Sequence, residues 1–198
     1  MENRLSVWVS GSGSNLERII SACQSREIPA SVVLVLSDRS GILALERAGK
    51  HSIPFEVVSP KKYGSEGAYA LALLELLKKY QVDLICLAGY LRKVPDEVVR
   101  SFYGRILNLH PALLPKFSGK GFYGQTIHEA VLAAKEKESG VTVHYVDEQY
   151  DHGSVILQRK VPVLPSDTPE TLAERVHQLE YEIYPQAIKL VLEKLASR

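Results

Sequence analysis

Asn108 and His110 stand two residues apart in the run RILNLHPALLPKF, residues 105–117, where Leu107 and Leu109 mark a buried strand. Side chains alternate across a strand, so the amide and the imidazole share the face opposite those leucines, about 7 Å apart along the chain. Pro111 disfavours helical dihedrals at His110 and keeps it extended at the strand's end. The pair suits carbonyl chemistry. An Asn amide donates a hydrogen bond to an oxygen that is becoming negative, and a protonated His stabilises the same oxygen or hands on a proton. A nearby carboxylate would raise the histidine's pKa and fix its ring, and Asp151 in Tyr150-Asp151-His152-Gly153 is the best placed, with Asp147 as the local competitor. A lone histidine at a strand end is more often a surface or merely hydrogen-bonded residue. Its place two residues after Asn, at an expected ligand edge, is what argues for chemistry.

A second segment points to an anion. Ser10-Gly11-Ser12-Gly13-Ser14-Asn15 joins a strand to a helix, so small residues bring backbone amides close to a ligand. The helix N-terminus adds unsatisfied N–H groups and partial positive charge. The loop has neither the Lys-Ser/Thr ending of a P-loop nor the third glycine of a dinucleotide turn. Asp38, after the next strand, imitates the ribose-binding acid of a nicotinamide fold, but acids are common in such turns. The bland alternative for the loop is a tight turn with a serine N-cap.

These residues need a frame that presents strand ends. Apolar runs at Leu5–Val9, Ser31–Ser37, Phe55–Val58, Asp83–Ala88 and Ile106–Leu109 read as strands. Helical patterns lie between them, after Ser14, at Leu43–Ala48, at Ala68–Tyr80 and, with Pro at the first turn, at Pro95–Phe102. A helix over Ile127–Lys137 follows, then strands at Val141–Val146 and Val155–Val161 around a polar turn, and a helical tail from Thr168 to Ser197 that Pro185 should kink or divide. Alternating β and α with continuous apolar strands implies an α/β fold with a doubly wound, mostly parallel β-sheet flanked by helices, Rossmann-like. Ligands in such sheets sit beyond the carboxyl ends of the strands, which confines the search to the loops after Val9, Ala88, Leu109 and Val146.

With 198 residues the chain suits one domain, 1–198, with a sizeable core. Its 24 basic and 23 acidic residues give a net charge of +1, which offers no broad attraction to nucleic acid, so an anionic ligand needs a local site. Apolar runs such as Val32–Leu36 are far shorter than a membrane span, and the first residues show no secretory pattern. Cys23 and Cys86 lie in packing patterns, which points to a reduced, cytoplasmic setting. His51, His128, His144, His152 and His177 show no metal-ligand spacing, so no metal is expected. His144 alternates with Thr142 and is equally compatible with the core.

The stretches VSGSGSNLERII, LAGYLRKV, ILNLHPALLPKF, VTVHYVDEQYDHGSVILQ and RVHQLEYEIYP together resemble the phosphoribosylglycinamide formyltransferases of purine biosynthesis, over essentially the whole chain. The run N-x-H-P-[SA]-L-L-P is specific to folate-dependent formyl transfer. The resemblance implies direct transfer of a formyl group from 10-formyltetrahydrofolate, as co-substrate and without metal, to the amine of glycinamide ribonucleotide. It implies that Asn108 and His110 stabilise the oxyanion, and that Asp151 keeps His110 protonated while helping to remove the amine proton. Gly13, Ser14 and Asn15 match the loop for the substrate phosphate, and Glu180 matches the acid that meets the ribose hydroxyls. Leu91, Arg92, Lys93 and Val94, with Asn108 and the segment from Val146 and Asp147 to Asp151, match the pterin pocket. Ser65-Glu66-Gly67 stands where relatives often carry an arginine for the folate's glutamate tail. The segment GKGFYGQTIHEAV is longer and less His-rich than the family form, and His152 replaces a frequent glycine.

Two other formyl-folate enzymes are rivals. A methionyl-tRNA formyltransferase is expected to carry a basic carboxy-terminal module, and a formyltetrahydrofolate hydrolase an extra regulatory domain; 198 residues at net charge +1 hold neither. A non-catalytic nucleotide-binding regulatory module accounts for the loop but not for Asn108, His110 and Asp151. The partners expected are small-molecule substrates, with no nucleic acid and no membrane, and a homodimer is left open.

Overall fold

A computed structural model describes residues 2–119 and 121–197; Met1, Lys120 and Arg198 lie outside the described residues. The chain runs β1 (Asn3–Val9), α1 (Ser14–Gln24), β2 (Ala30–Ser37), α2 (Leu43–Lys50), β3 (Phe55–Val57), a short 3₁₀ turn, α3 (Glu66–Lys79), β4 (Leu84–Leu87), α4 (Asp96–Ser101), β5 (Ile106–His110), α5 (Gln125–Ala133), β6 (Glu138–Tyr145), β7 (Val155–Pro162) and α6 (Pro169–Ala196). The strands form one sheet in the order β3-β2-β1-β4-β5-β6-β7, parallel from β3 to β5 and antiparallel at β5/β6 and β6/β7. The α/β, mostly parallel arrangement read from the sequence is the one observed.

Alternation along β1 shows why the sheet needs cover on both sides. Leu5, Val7 and Val9 enter one core with α1, α2, α5 and α6, whereas Trp8 enters the other with α3 and α4. The chain leaves β1 first toward β2 and β3, then returns to place β4 on β1's other side. The strand order therefore reverses between β1 and β4, and their carboxyl ends splay over a crevice. β5 lies next to β4 with Asn108 opposite Leu87, which brings its own carboxyl end to the same rim.

Two expectations are corrected. Helix α5 stops at Ala133, short of Lys137, because Lys135 takes a left-handed conformation (φ 54°) and the chain turns back on itself. The Lys135 and Glu136 N–H groups donate to the Leu132 and Val131 carbonyls, a helix-closing arrangement, and β6 begins at Glu138. Helix α6 is not divided at Pro185 but runs unbroken from Pro169 to Ala196. Pro185 has no N–H for the Tyr181 carbonyl, and Arg18 Nε of α1 donates to that oxygen at 2.9 Å instead. Arg18→Met keeps the apolar stem and removes the substitute donor. It is expected to cost about 1 kcal/mol and lower the melting temperature by about 2–4 °C in a thermal scan; an unchanged midpoint would show that the carbonyl needs no partner.

Candidate active site

The crevice is a cavity of about 1000 Å³ whose wall includes the residues that the family resemblance implies for binding and chemistry, but not Asp38. Gly13, Ser14 and Asn15 come from the loop after β1, Leu91, Arg92, Lys93 and Val94 from the loop after β4, and Asn108 and His110 from β5. Val146, Asp147 and Asp151 come from the connection between β6 and β7, and Glu180 from α6.

The loop after β1 is shaped by Gly13, which caps α1 with φ 74°. A side chain at this point would place its Cβ 2.6 Å from Ala44 Cβ, so only glycine lets the loop lie against α2. No side chain caps the helix, which sets aside the serine N-cap reading and leaves the first N–H groups of α1 directed into the crevice. Ser10 is a tie between loops: its hydroxyl donates to Asp38 Oδ1 at 2.6 Å and accepts from the Leu91 N–H at 3.0 Å. Asp38 also receives Arg39 and Arg92, at 2.8 and 2.9 Å. Burial would raise the Asp38 carboxyl, but Arg39, Ser10 and Arg92 together hold it below the ordinary carboxylate value. Asp38 is thus an internal anchor rather than an acid presented to a ribose, and the nicotinamide imitation falls away.

At the end of β5 the polar side chains meet. Asn108 pairs across the sheet with His144, and Asn108 Nδ2 lies 3.1 Å from His144 Nε2 and 3.3 Å from Asp151 Oδ1. His144 Nδ1 lies 2.8 Å from the Tyr145 carbonyl, which requires a proton on Nδ1 and, in the neutral ring, leaves Nε2 to accept from Asn108. The asparagine amide is thereby oriented: one hydrogen goes to His144, and the other points along a longer contact toward Asp151. His110 donates Nε2–H to the Phe117 carbonyl at 2.8 Å and turns Nδ1 to Asp151 Oδ1 at 3.6 Å. Asp151 Oδ2 accepts the Gly119 N–H at 3.0 Å. His110 is 4% exposed, and burial pulls its pKa below the ordinary histidine value despite the Asp151 carboxylate and the Phe117 carbonyl. Burial would raise Asp151, but His144, His110 and the Gly119 N–H outweigh it and hold the carboxyl below its ordinary value. At His110 burial therefore opposes the proton that the Asp151 carboxylate favours.

Asp147, the competing carboxylate, is turned away: it accepts from the Gln149 N–H and from His152 Nδ1, each at 2.8 Å. Asp151 holds its place in a left-handed conformation, φ 52°, and Gly153 follows where any side chain would run into the Tyr145 carbonyl. In the loop after β4, Val94 is buried and Leu91 is 46% exposed toward the crevice. Arg92 points its guanidinium at Asp38, and Lys93 Nζ pairs with Asp96 at 2.7 Å. Both charges are thus paired within the protein while remaining partly exposed, and Leu91 and Val94 add apolar surface to this part of the wall.

Several participants were not singled out from the sequence. His144 reaches the cluster only through the antiparallel register that sets it opposite Asn108, and a β-strand period leaves its face undecided. The Phe117 carbonyl depends on a left-handed residue (φ 55°) in a loop with no sequence period. His128 and His177 also line the cavity, brought there by the packing of α5 on α6. Among the described residues no three His, Cys, Asp or Glu side chains group as metal ligands, and no helix is long and apolar enough to cross a membrane.

Residues 3–188 match the formyl transferase family model. The phosphoribosylglycinamide formyltransferase of Bacillus subtilis (strain 168) is 38% identical over 189 residues, covering 96% of this chain and 94% of its own length. The trifunctional purine biosynthetic protein adenosine-3 of Drosophila pseudoobscura pseudoobscura is 44% identical over 190 residues, and the match spans 95% of this chain but only 14% of that protein. Among solved structures, the phosphoribosylglycinamide formyltransferase from Bacillus halodurans superposes with a TM-score of 0.91 at 37% identity, covering 98% of this chain and 97% of that one. A match over nearly the whole chain, which takes in the strand that holds Asn108 and His110, means that this chain belongs to the formyl transferase family.

Proposed function

We propose that the chain transfers the formyl group of 10-formyltetrahydrofolate to the amine of glycinamide ribonucleotide, and that it does so as one domain. The observation that carries the reading is the meeting of Asn108, His110 and Asp151 in one cavity with the uncapped amino end of α1. The near-complete overlap with the Bacillus subtilis enzyme supports the choice of substrate. The substrate phosphate would lie on the Gly13–Asn15 amides, with Glu180 at the sugar hydroxyls. The formyl donor would enter between Leu91–Val94 and Val146–Asp151, where apolar surface and main-chain groups fit a flat heterocycle. The donor supplies an activated one-carbon carbonyl whose oxygen gains charge as the amine attacks.

Each side chain then has a task. Asn108 keeps one amide hydrogen on His144 and moves the other from its long contact with Asp151 to the carbonyl oxygen. Asp151, ionised and 3.6 Å from His110 Nδ1, receives the proton that the amine sheds on bond formation and shares it with the imidazole. His110 is neutral before attack, so it becomes cationic only as the oxyanion forms, when its charge is most useful. The same proton returns to the departing donor nitrogen as the formyl group leaves, which closes the balance.

Supplying both substrates to the purified chain tests the reading. Formylated glycinamide ribonucleotide and free tetrahydrofolate in equal amounts are expected. Donor hydrolysis without formylated product would favour the hydrolase, and no consumption of the donor would favour the binding module. The free thiols of Cys23 and Cys86 support a cytoplasmic setting, with the chain acting on small molecules alone or as a homodimer.

A further inference from the structure

The loop after β1 is held from behind, on the side away from the crevice, by the start of α2. The Gly11 carbonyl accepts the Ala44 N–H at 3.3 Å, and the Ser12 carbonyl accepts Arg47 Nε at 3.0 Å. The Gly13 carbonyl accepts the Glu17 N–H at 3.0 Å, which closes the first turn of α1. Three consecutive carbonyls are thus drawn to the two helices. A trans peptide sets its N–H opposite its C=O, so the N–H groups of Ser12, Gly13 and Ser14 turn to the other side, where the crevice lies. Among the described residues no backbone acceptor meets any of the three. Successive free N–H groups around a left-handed residue make a nest for an anion.

Arg47 is the side chain that completes this mould. Its guanidinium spans two partners, the Ser12 carbonyl through Nε and Glu17 Oε2 through Nη1 at 3.2 Å, and two bonds from one planar fork fix its orientation. Glu17 is fixed in turn: its other oxygen lies 2.7 Å from His51 Nε2, and His51 Nδ1 lies 3.3 Å from Gln24 Nε2. The bond to His51, with Arg47 adding to it, holds the Glu17 carboxyl below its ordinary value against the effect of burial, so Arg47 keeps an ionised partner at neutral pH. Neither Arg47, Glu17 nor His51 is on the cavity wall. Arg47 therefore acts on a ligand only through the peptide that it holds.

We propose that Arg47 is a positioning residue for the anion loop: by holding the Ser12 carbonyl against α2 it turns the Gly13 N–H toward the substrate's phosphate, and so sets the affinity for that substrate without touching it. This rests on the reading above, in which the phosphate lies on the Gly13–Asn15 amides. The Ser12–Gly13 peptide is the one whose plane is least constrained by the loop itself. Gly13 stands at φ 74°, and a glycine passes between backbone regions closed to other residues, so little in the loop itself prevents that plane from turning over. A reversed peptide would aim a carbonyl oxygen at the anion in place of an N–H. Arg47 bonds the carbonyl in the orientation that keeps the donor inward, and Glu17 keeps Arg47 from following the loop.

Direct titration of the full chain with ribose 5-phosphate and, separately, with a folate analogue tests this. Arg47→Met keeps the apolar stem and removes the donor. It should weaken ribose 5-phosphate about tenfold and leave the folate analogue within about twofold of the intact protein. Arg47→Lys keeps the charge, but its ammonium is a point donor without the planar fork, and it should lose roughly threefold. The effect is one of local geometry, so the ratio of affinities between the intact protein and Arg47→Met should hold from about 0.05 to about 0.5 M sodium chloride. A ratio that shrinks to one in high salt would show Arg47 acting as a charge alone, and would overturn the proposal. So would undiminished sugar-phosphate affinity in both variants, or an equal loss for the folate analogue, which would mark general damage to the fold. In turnover the change should fall on the KM for glycinamide ribonucleotide and not on kcat. The titrations themselves need no turnover. Absent formylation with the Arg47 effect present would count against formyl transfer alone, and formylation with sugar-phosphate affinity indifferent to Arg47 against this proposal alone.

Discussion

Asp151→Asn is expected to lower kcat for formyl transfer by roughly 10²- to 10⁴-fold, with little change in affinity for a folate analogue. The amide keeps the size of the side chain, can still accept the Gly119 N–H, and tolerates the left-handed backbone at this position (φ 52°). What disappears is the charge 3.6 Å from both His110 Nδ1 and His144 Nε2. Without it nothing receives the amine proton, and the imidazolium that accompanies the oxyanion has no counter-charge. The pH behaviour follows from the same contact. The carboxyl lies below its ordinary value in the folded protein, so it contributes stability above about pH 4 that is lost as pH falls through the folded value. The variant should lose that part of the acid-end dependence in a melting series. A kcat within a few-fold of the intact protein would remove Asp151 from the mechanism.

Asn108→Ala carries the second large effect, a fall in kcat of roughly 10²- to 10³-fold from the loss of one preorganised donor to the developing charge. Its origin is the chain of hydrogen bonds from the Tyr145 carbonyl through His144 to the Asn108 amide, which decides which way the amide faces. Truncation also strands His144 Nε2 in a buried place, so about 1–3 kcal/mol of stability should be lost alongside. The KM for glycinamide ribonucleotide should change much less than kcat, because the phosphate is held at the Gly13–Asn15 loop and not at β5. Steady-state kinetics with each substrate varied in turn separates the two. An effect confined to KM would show that Asn108 binds ground state and transition state alike.

Much of this site is written into the sequence because it depends on short-range rules. A strand's period of two puts Asn108 and His110 on one face, Pro111 fixes where the strand ends, and the glycines after β1 mark where backbone must approach closely. The strand and helix periods likewise foretell the parallel sheet and hence the edge where ligands belong. What could not be read depends on contacts between distant elements or on single dihedral angles. His144 is chosen by the antiparallel register with β5, and Asp147 is excluded by its pairing with His152. The Phe117 carbonyl enters through one left-handed residue. The protonation of His110 turns on the depth of its burial, which no spacing reveals. The same limit explains Pro185, whose missing hydrogen bond is made good by Arg18 of α1, 167 positions earlier in the chain.

The central claim is that His110 and Asp151 act on one proton and one developing charge as a unit. Single-turnover rates for His110→Ala, Asp151→Asn and the double variant form the cycle that measures this. The account predicts that the double variant is no more than a few-fold slower than the worse of the two single variants. Rates in which the two losses multiply in full would mean that the imidazole and the carboxylate work separately, and would contradict it.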